Sequence, residues 1–191
     1  MKLVTERLIL RPMTPLDAGD LLEYQSNSEI VRYIPWPLGN EETVRQHIEK
    51  TLKLSTFDLN ADGKYFVLVW EMKDGGKIIG QSNLGVKSLE DKCGVVGWVT
   101  HQDYQRMGYA FEASSAILEY AFTANDFHRV VAEIDTRALN SAMLAKKLGM
   151  RLEGEFRQSE FLKGEWCDMW LYAMLKEEFM EKKLSRETKR N

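Results

Sequence analysis

The chain alternates between two kinds of hydrophobic pattern. Short runs rich in apolar and β-branched residues, such as 93–100, are typical of buried strands. Apolar residues three or four positions apart, such as Val44, Ile48 and Leu52 within 41–54, are typical of one face of a helix. Neither an internal repeat nor a low-complexity linker interrupts these patterns, so we expect one continuous domain.

Turn and cap residues separate the patterned segments. Thr14 followed by Pro15 predicts the start of a helix. The run 73–76 predicts a hairpin turn, and Gly149 predicts the end of a helix. In chain order, the predicted elements are a strand over 4–13, a helix opening at 14–17 and extended over 30–34, a helix over 41–54, strands over 65–71, 77–86 and 93–100, a helix over 109–124, a strand over 129–136, a helix over 141–148, and strands over 151–158 and 166–175. This order predicts an α/β fold with a mixed sheet and helices on both faces.

Composition places the chain among ordinary globular proteins. Of its 191 residues, 44% are apolar and 29% are charged, which argues against wholesale disorder. No apolar run approaches the ~18 residues that a membrane helix needs, and because charges interrupt the first residues we expect no signal peptide. We therefore expect a cytoplasmic protein without a membrane partner. Residues 1–180 should form the domain, and 181–191 a charged, frayed tail.

Charge and cysteine usage narrow the chemistry. A formal net charge of −3 gives no basic surface for binding nucleic acid, but it is compatible with a cationic ligand such as an amine or a basic peptide. Cys93 and Cys167 are too few for a disulfide framework. Their spacing to the three histidines shows no metal-ligand pattern. We expect reduced structural thiols and no metal.

The loop 105–110 holds the clearest candidate for a binding site. It follows a predicted strand and opens a predicted helix, whose first N–H groups lack partners and carry a partial positive charge. A loop over such an end can bind an anion, and Gly108 lets a phosphate approach the backbone without a Cβ in the way. Ala110 does nearly the same. On these residues alone, a turn glycine before a helix is the favoured explanation of the pattern.

Five segments in the right order carry a resemblance to a known family. Gln105, Gly108 and Ala110 resemble the Q/R-x-x-G-x-G/A pyrophosphate loop of the GNAT superfamily of N-acetyltransferases. Segments 5–11, 108–113, 141–151, 153–154 and 164–168 resemble the RimJ/RimL-like branch, which acetylates the N-termini of ribosomal proteins. The resemblance covers roughly residues 3–179. It implies a single GNAT-like domain around a mixed, mostly antiparallel, twisted sheet of about six to seven strands.

The resemblance also implies acetyl-CoA as co-substrate and residues that hold it. The loop, with Gln105 at its start, would hold the pyrophosphate through the backbone amides of Arg106, Met107, Gly108, Tyr109 and Ala110. Backbone groups of Trp98, Val99 and Thr100 would face the pantetheine arm as in strand addition. For the Trp98 side chain, plain core is the alternative. Asn140 is a candidate substitute for a branch Asn at the position of Ala138.

For catalysis, the resemblance implies direct attack of a neutral amine on the thioester. We expect the Val99 N–H to stabilise the oxyanion. Many members use a Tyr as general acid, but the matching positions 144–145 hold none. The branch has a Ser matching Ser141, for which a helix cap is the alternative. The usual base position holds Val95, so Glu165 is a candidate base. The alternatives are that Glu165 is a solvated turn residue and that a chain of water molecules serves as the base.

Other residues complete the predicted site. Tyr33 and Trp36, in a Pro-stiffened segment, are candidates for the acceptor pocket, with a packed helix–helix corner as the alternative. Glu112 is expected to be a structural hydrogen-bond partner, and His101 an exposed loop residue.

Taken together, these residues predict transfer of an acetyl group to a primary amine, with a protein N-terminus favoured over a small amine. A non-catalytic CoA-binding or interaction protein is the alternative. A homodimer is compatible with the resemblance, because dimers are common among similar proteins.

Overall fold

A computed structural model describes the backbone of residues 1–188 and the side chains of residues 1–185. Its elements are β1 (Leu3–Val4), β2 (Leu8–Arg11), a 3-10 turn (Pro15–Asp17), α1 (Ala18–Gln25), α2 (Ser28–Val31), α3 (Glu41–Leu54), β3 (Tyr65–Met72), β4 (Ile78–Ser88), β5 (Cys93–Thr100), a second 3-10 turn (Gln102–Tyr104), α4 (Tyr109–Thr123), β6 (Arg129–Asp135), α5 (Leu139–Leu148), β7 (Arg151–Leu162), β8 (Glu165–Leu175) and α6 (Lys176–Thr188).

Within residues 1–188 these strands form one eight-stranded sheet in the order β1-β2-β3-β4-β5-β6-β8-β7. All neighbours are antiparallel except β5 and β6, which confirms the predicted mixed, mostly antiparallel sheet. The sheet has one strand more than expected because the predicted strand 4–13 is two strands. A tight turn separates them, in which the Thr5 N–H donates to the Leu8 carbonyl at 3.0 Å.

Helices cover both faces of the sheet, as predicted. Along β3, Phe66, Leu68 and Trp70 belong to a buried cluster that includes α4 and α5. The intervening Val67 and Val69 belong to a second cluster with α1 and α3. Because successive strand residues point to opposite faces, a strand covered on both sides is apolar throughout. The continuous apolar run of β3 is therefore the signature of a central strand between two helical layers.

The sheet opens between its two parallel strands. β5 pairs with β6 only through 93–95 against 129–131. Beyond that point β5 continues to Thr100 and β6 to Asp135 without pairing with each other. The gap at the carboxyl ends of these strands is flanked by the start of α4 and the start of α5.

The C-terminal segment differs from its prediction. A charged, frayed tail was expected over 181–191, but α6 continues to Thr188, and 189–191 lie outside the described residues. Packing anchors this helix: the ring centres of Phe179 and Phe122 are 5.1 Å apart, and Lys182 Nζ donates to the Gly149 carbonyl at 2.7 Å. The boundary of the domain stays a prediction.

Three further observations concern the described part of the chain. None of its helices combines the length and the apolar character needed to cross a bilayer. No group of three or more His, Cys, Asp or Glu residues in it could hold a metal ion. Cys93 and Cys167 are both free and buried.

Candidate active site

A cleft of about 760 Å³ lies at the open end of the gap between β5 and β6. Its described lining comprises Asn27, Glu29, Ile30, Tyr33 and Ile34 from α2 and the segment after it, Trp98, Val99, Thr100, Gln102, Tyr104, Gln105, Arg106 and Gly108 from β5 and the loop after it, Ala110 and Phe111 from α4, and Arg137, Ala138, Leu139, Asn140, Ser141, Met143, Leu144 and Lys147 from α5 and its approach. One end is therefore formed by the loop and α5, and the other by α2.

Most predicted site residues meet in this cleft. Those in its lining are Tyr33, Trp98, Val99, Thr100, Gln105, Arg106, Gly108, Ala110, Asn140 and Ser141. The lining does not include Trp36, Met107, Tyr109 or Glu165.

The loop before α4 forms a concave backbone surface. Two left-handed residues, Arg106 with φ +61° and Gly108 with φ +86°, flank Met107, and Gly108 is the N-cap of α4. Successive N–H groups in such a conformation converge to form a site for an anion, and the helix start adds its dipole. A Cβ on Gly108 would lie 3.4 Å from Arg7 Nη2. The loop therefore fits a pyrophosphate, and Gly108 leaves it open.

A side-chain brace holds this loop in place. The Glu112 carboxylate accepts from Thr5 Oγ1 at 2.6 Å and from Arg7 N and Nε, each at 2.7 Å. Arg7 also donates to the Met107 carbonyl at 3.1 Å, and its guanidinium lies 4.1 Å from the ring centre of Tyr109. Burial raises the pKa of Glu112, but the hydrogen bonds outweigh it and hold the pKa below its usual range. Glu112 therefore braces the loop.

The pairing of β5 with β4 decides which backbone groups face the gap. His101 N donates to the Ile79 carbonyl of β4 at 2.9 Å, and Val99 lies opposite Gln81 of β4. Residues two apart in a strand direct their N–H and C=O groups to the same side, so Val99 also faces β4. Its N–H is not the donor that was expected for the oxyanion. Trp98 and Thr100 direct their backbone groups into the gap instead.

Ser141 and Asn140 lie in the first turn of α5, because the helix begins at Leu139, two residues before its predicted start. The N-cap is Ala138, which has no capping side chain, and the Ser141 N–H donates to its carbonyl at 3.0 Å. Ser141 therefore does not occupy the cap position. Its hydroxyl forms no hydrogen bond with another described residue, which leaves it available to a ligand in the cleft.

Arg137 is a residue of this region that the sequence did not reveal. Its Nε and Nη2 bind both oxygens of Asp135 at 2.9 and 2.7 Å, and its Nη1 donates to Glu165 at 2.6 Å. The same guanidinium lies 5.0 Å from the ring centre of Tyr33 and lines the cleft. Burial raises the pKa of Asp135, but the hydrogen bonds from Arg137 hold it below its usual range. Glu165 is thus bound to Arg137 beside the cleft, with its side chain 61% exposed.

His101 is not the exposed loop residue that was expected: its side chain is only 1% exposed. Its Nδ1 accepts from the Asp103 N–H at 3.2 Å, so the other ring nitrogen, Nε2, carries the proton and donates to Glu23 at 3.1 Å. The ring also lies against Tyr24 and Tyr104. His101 caps the 3-10 turn that begins the loop, so its contacts are structural.

Trp36 lies away from the cleft. Its ring centre is 5.0 Å from that of His47 on α3, and it packs against the cluster beneath α1 and α3. This is the helix–helix corner that was the alternative to an acceptor pocket, and the role of Trp36 toward a substrate stays a prediction.

Comparison with known sequences identifies the domain type of this chain. The sequence profile of the acetyltransferase (GNAT) domain matches residues 7–151. The chain is 32% identical over 181 residues to the uncharacterized N-acetyltransferase YnaD of Bacillus subtilis, covering 94% of this chain and 99% of that protein. It is 26% identical over 178 residues to the ribosomal protein uS5-alanine N-acetyltransferase of Escherichia coli, covering 91% of this chain and 90% of that protein.

Solved structures share the fold over nearly the whole chain. A GNAT-family acetyltransferase from Bacillus anthracis matches with a TM-score of 0.82 and 29% identity, covering 93% of this chain and 100% of that one. A spermidine N-acetyltransferase from Vibrio cholerae, in complex with CoA and spermine, matches with a TM-score of 0.73 and 17% identity. The match covers 91% of this chain and 98% of that one. This second likeness concerns the fold alone. With its profile match across three quarters of the sequence, the chain belongs to the GNAT family of acetyltransferases.

Proposed function

We propose that this protein is an acetyl-CoA-dependent N-acetyltransferase whose preferred acceptor is a protein N-terminal amine. One observation carries the proposal: an anion-binding loop, an edge of β5 and a serine hydroxyl open into the same cleft, and neither the edge nor the hydroxyl is paired with another described residue. These are the parts that a nucleotide thioester needs for its phosphates, its extended arm and its departing sulfur. Membership of the GNAT family supports the acetyl donor.

Different parts of the cleft serve different parts of the donor. The N–H groups from Arg106 to Ala110 bind the pyrophosphate, because they converge at a helix start. The Trp98 carbonyl and the backbone groups of Thr100 bind the amides of the pantetheine arm as a neighbouring strand would. When bound, acetyl-CoA supplies an activated acyl group in a thioester.

The chain then positions and stabilises the reacting groups. The cleft holds the acceptor amine near the thioester, and such proximity supplies a large part of the acceleration. The Trp98 N–H, which faces the gap, stabilises the negative charge that develops on the acyl oxygen. Ser141 donates a proton to the departing thiolate and takes one in return from water in the cleft, which restores its hydroxyl. Because Glu165 is bound to Arg137 outside the lining, water in the cleft takes the proton of the amine.

The acceptor end of the cleft supports a peptide rather than a polyamine. Its side chains from α2 and β5 are mainly apolar or aromatic, among them Ile30, Tyr33, Ile34 and Trp98. Glu29 is the one carboxylate in the described lining, whereas a polyamine carries several positive charges to be matched. The uS5-alanine N-acetyltransferase relative supports the same choice.

An acceptor panel tests the proposal. We expect CoA release from acetyl-CoA with a peptide that begins with Ala, and a mass increase of one acetyl group at its N-terminus. The same peptide with a blocked N-terminus should give no release. Release with spermidine and none with the free peptide would favour a small-amine enzyme. Tight acetyl-CoA binding without turnover on any acceptor would favour the alternative of a non-catalytic binding protein.

Replacing Ser141 by Ala is expected to lower kcat about tenfold while the KM for acetyl-CoA stays within about twofold. The effect is smaller than the usual range for general acids, because a thiol with a pKa of ~8.5 leaves without much help. Steady-state kinetics of CoA release measure both constants. Ser185→Ala on α6, where Oγ bonds the Glu181 carbonyl, is the matched control. An unchanged kcat in a folded Ser141→Ala enzyme would remove Ser141 from the mechanism.

The cytoplasmic location and the homodimer stay predictions. The free, buried thiols of Cys93 and Cys167 are compatible with a reducing compartment.

A further inference from the structure

The wall of the cleft beside the loop carries a cation above an apolar surface. Lys147, on the cleft face of α5, places its Nζ 5.1 Å from the ring centre of Phe111. Phe111 directly follows Ala110, the last residue of the loop, and Met143 and Leu144 line the same wall. An aromatic ring, two apolar side chains and an ammonium group therefore converge where a ligand would continue beyond the loop.

This combination matches the far end of a coenzyme A molecule. An aromatic ring and apolar side chains fit the flat face of a purine. A lysine ammonium is a compact point charge suited to a phosphate monoester, which carries about −1.5 to −2 charges at pH 7. Coenzyme A has such a monoester on its ribose, in addition to the pyrophosphate that the loop would hold. Dephospho-CoA differs from it by this one group.

We propose that Phe111 and Lys147 form the subsite for the adenosine end of the donor, in which Lys147 selects CoA over dephospho-CoA by binding the 3′-phosphate. The inference rests on the proposed function, because it needs the pyrophosphate in the loop. It assigns two residues that the loop motif does not contain and names the group that one of them recognises.

Charge at the cleft supports Lys147 as the selective residue. The Arg137 guanidinium is bound by the carboxylates of Asp135 and Glu165, so it has little charge to offer a phosphate. Arg106 belongs to the loop itself. Lys147 faces an aromatic ring within the described residues, and a ring screens its charge less than a carboxylate would.

The neighbouring Lys146 provides a matched control. It is exposed, lies one residue away on the same helix and is absent from the cleft lining. Successive helix residues point about 100° apart, so the two lysines share a helix and a charge but not a direction. A general effect of net charge on anion binding would appear in both Lys146→Gln and Lys147→Gln. A contact with one phosphate would appear only in the second.

Calorimetric titration with acetyl-CoA and with acetyl-dephospho-CoA tests the subsite. We expect the wild-type protein to prefer acetyl-CoA by about tenfold, as for one charge-assisted contact at a partly exposed site. Lys147→Gln should lose that preference by binding acetyl-CoA about tenfold more weakly, with acetyl-dephospho-CoA unchanged within about twofold. Lys146→Gln should bind both as the wild type does. Phe111→Leu should weaken both ligands to the same extent, because it removes a surface for the base.

Other outcomes overturn the proposal. Equal losses for both ligands in Lys147→Gln would move Lys147 to the pyrophosphate, and unchanged affinities would remove it from the site. A wild-type protein that binds both ligands without preference would contradict the proposed subsite but not the proposed function. A wild-type protein that binds neither ligand would end the proposed function, and the subsite with it.

Discussion

Replacing Gly108 by Trp is expected to abolish detectable acetyl-CoA binding while the chain still folds. Gly108 has φ +86° at the N-cap of α4, and its missing Cβ keeps the loop surface open next to Arg7. An indole there would occupy the space in which the backbone N–H groups converge. The positive φ adds about 1–2 kcal/mol of local strain for any other residue, which a folded domain tolerates.

Calorimetry with acetyl-CoA measures this effect. We expect the wild-type protein to bind in the micromolar range, about −8 kcal/mol, and the variant to give no heat of binding. Gly75→Trp is the matched control: Gly75 also has a positive φ, +80°, but lies in the exposed β3–β4 turn with nothing within 4 Å of its Cβ position. Binding by Gly108→Trp within about threefold of the wild type would place the donor somewhere other than this loop.

An element of this fold could be predicted when the residues that define it lie close together in the sequence. The bounds of α3 and β5 were predicted to the residue, because the helical spacing of apolar residues in α3 and a compact apolar run in β5 mark them within the sequence itself. The break between β1 and β2 escaped prediction because its cause is remote. Thr5 and Arg7 in that turn bind Glu112, which is 107 and 105 residues away. The helical continuation of α6 likewise depends on Phe122 and Gly149 from earlier elements.

The same distinction applies to the site. The loop could be predicted because its glycine, its helix and its preceding strand are adjacent in sequence. The direction of the Val99 N–H could not, since it depends on which strand pairs with β5 and in which register. The burial of His101 depends on Glu23 and Tyr24, which lie in α1. A local clue to Arg137 did exist, in an Asp two residues before it at the end of a strand, but its contact with Glu165 is made 28 residues away.

Arg137→Ala is expected to destabilise the fold by about 3 kcal/mol at pH 7, because it leaves the Asp135 carboxylate without its guanidinium partner. The backbone N–H of residue 137 still donates to this carboxylate but does not neutralise its charge. The Asp135 side chain is 1% exposed, and stranding a buried charge costs about 3–5 kcal/mol. We expect a cost at the lower end of this range because the Arg137 side chain is 39% exposed, so that water can reach part of the space it leaves. Urea denaturation measures the difference. Arg32→Ala is the matched control: Arg32 also lies over Tyr33, but its partner Glu29 is 74% exposed, so we expect less than about 1 kcal/mol.

The pH dependence of the stability of Arg137→Ala tests whether the Asp135 carboxylate causes the loss. In the wild-type protein the pKa of Asp135 is lowered from 3.8, so its ionised form stabilises the fold above that value and the contribution is lost as the pH falls through the lowered pKa. Without the Arg137 side chain, burial is the largest remaining influence and raises that pKa, opposed by the backbone N–H of residue 137, which still donates to the carboxylate. The deficit of the variant should therefore be largest at neutral pH and shrink as the pH approaches about 4, where Asp135 takes up a proton. Asp135→Asn in the same variant should recover part of the stability at pH 7, because it removes the stranded charge. A deficit of equal size at pH 4 and pH 7 would instead mean that Arg137 stabilises the fold by packing against Tyr33.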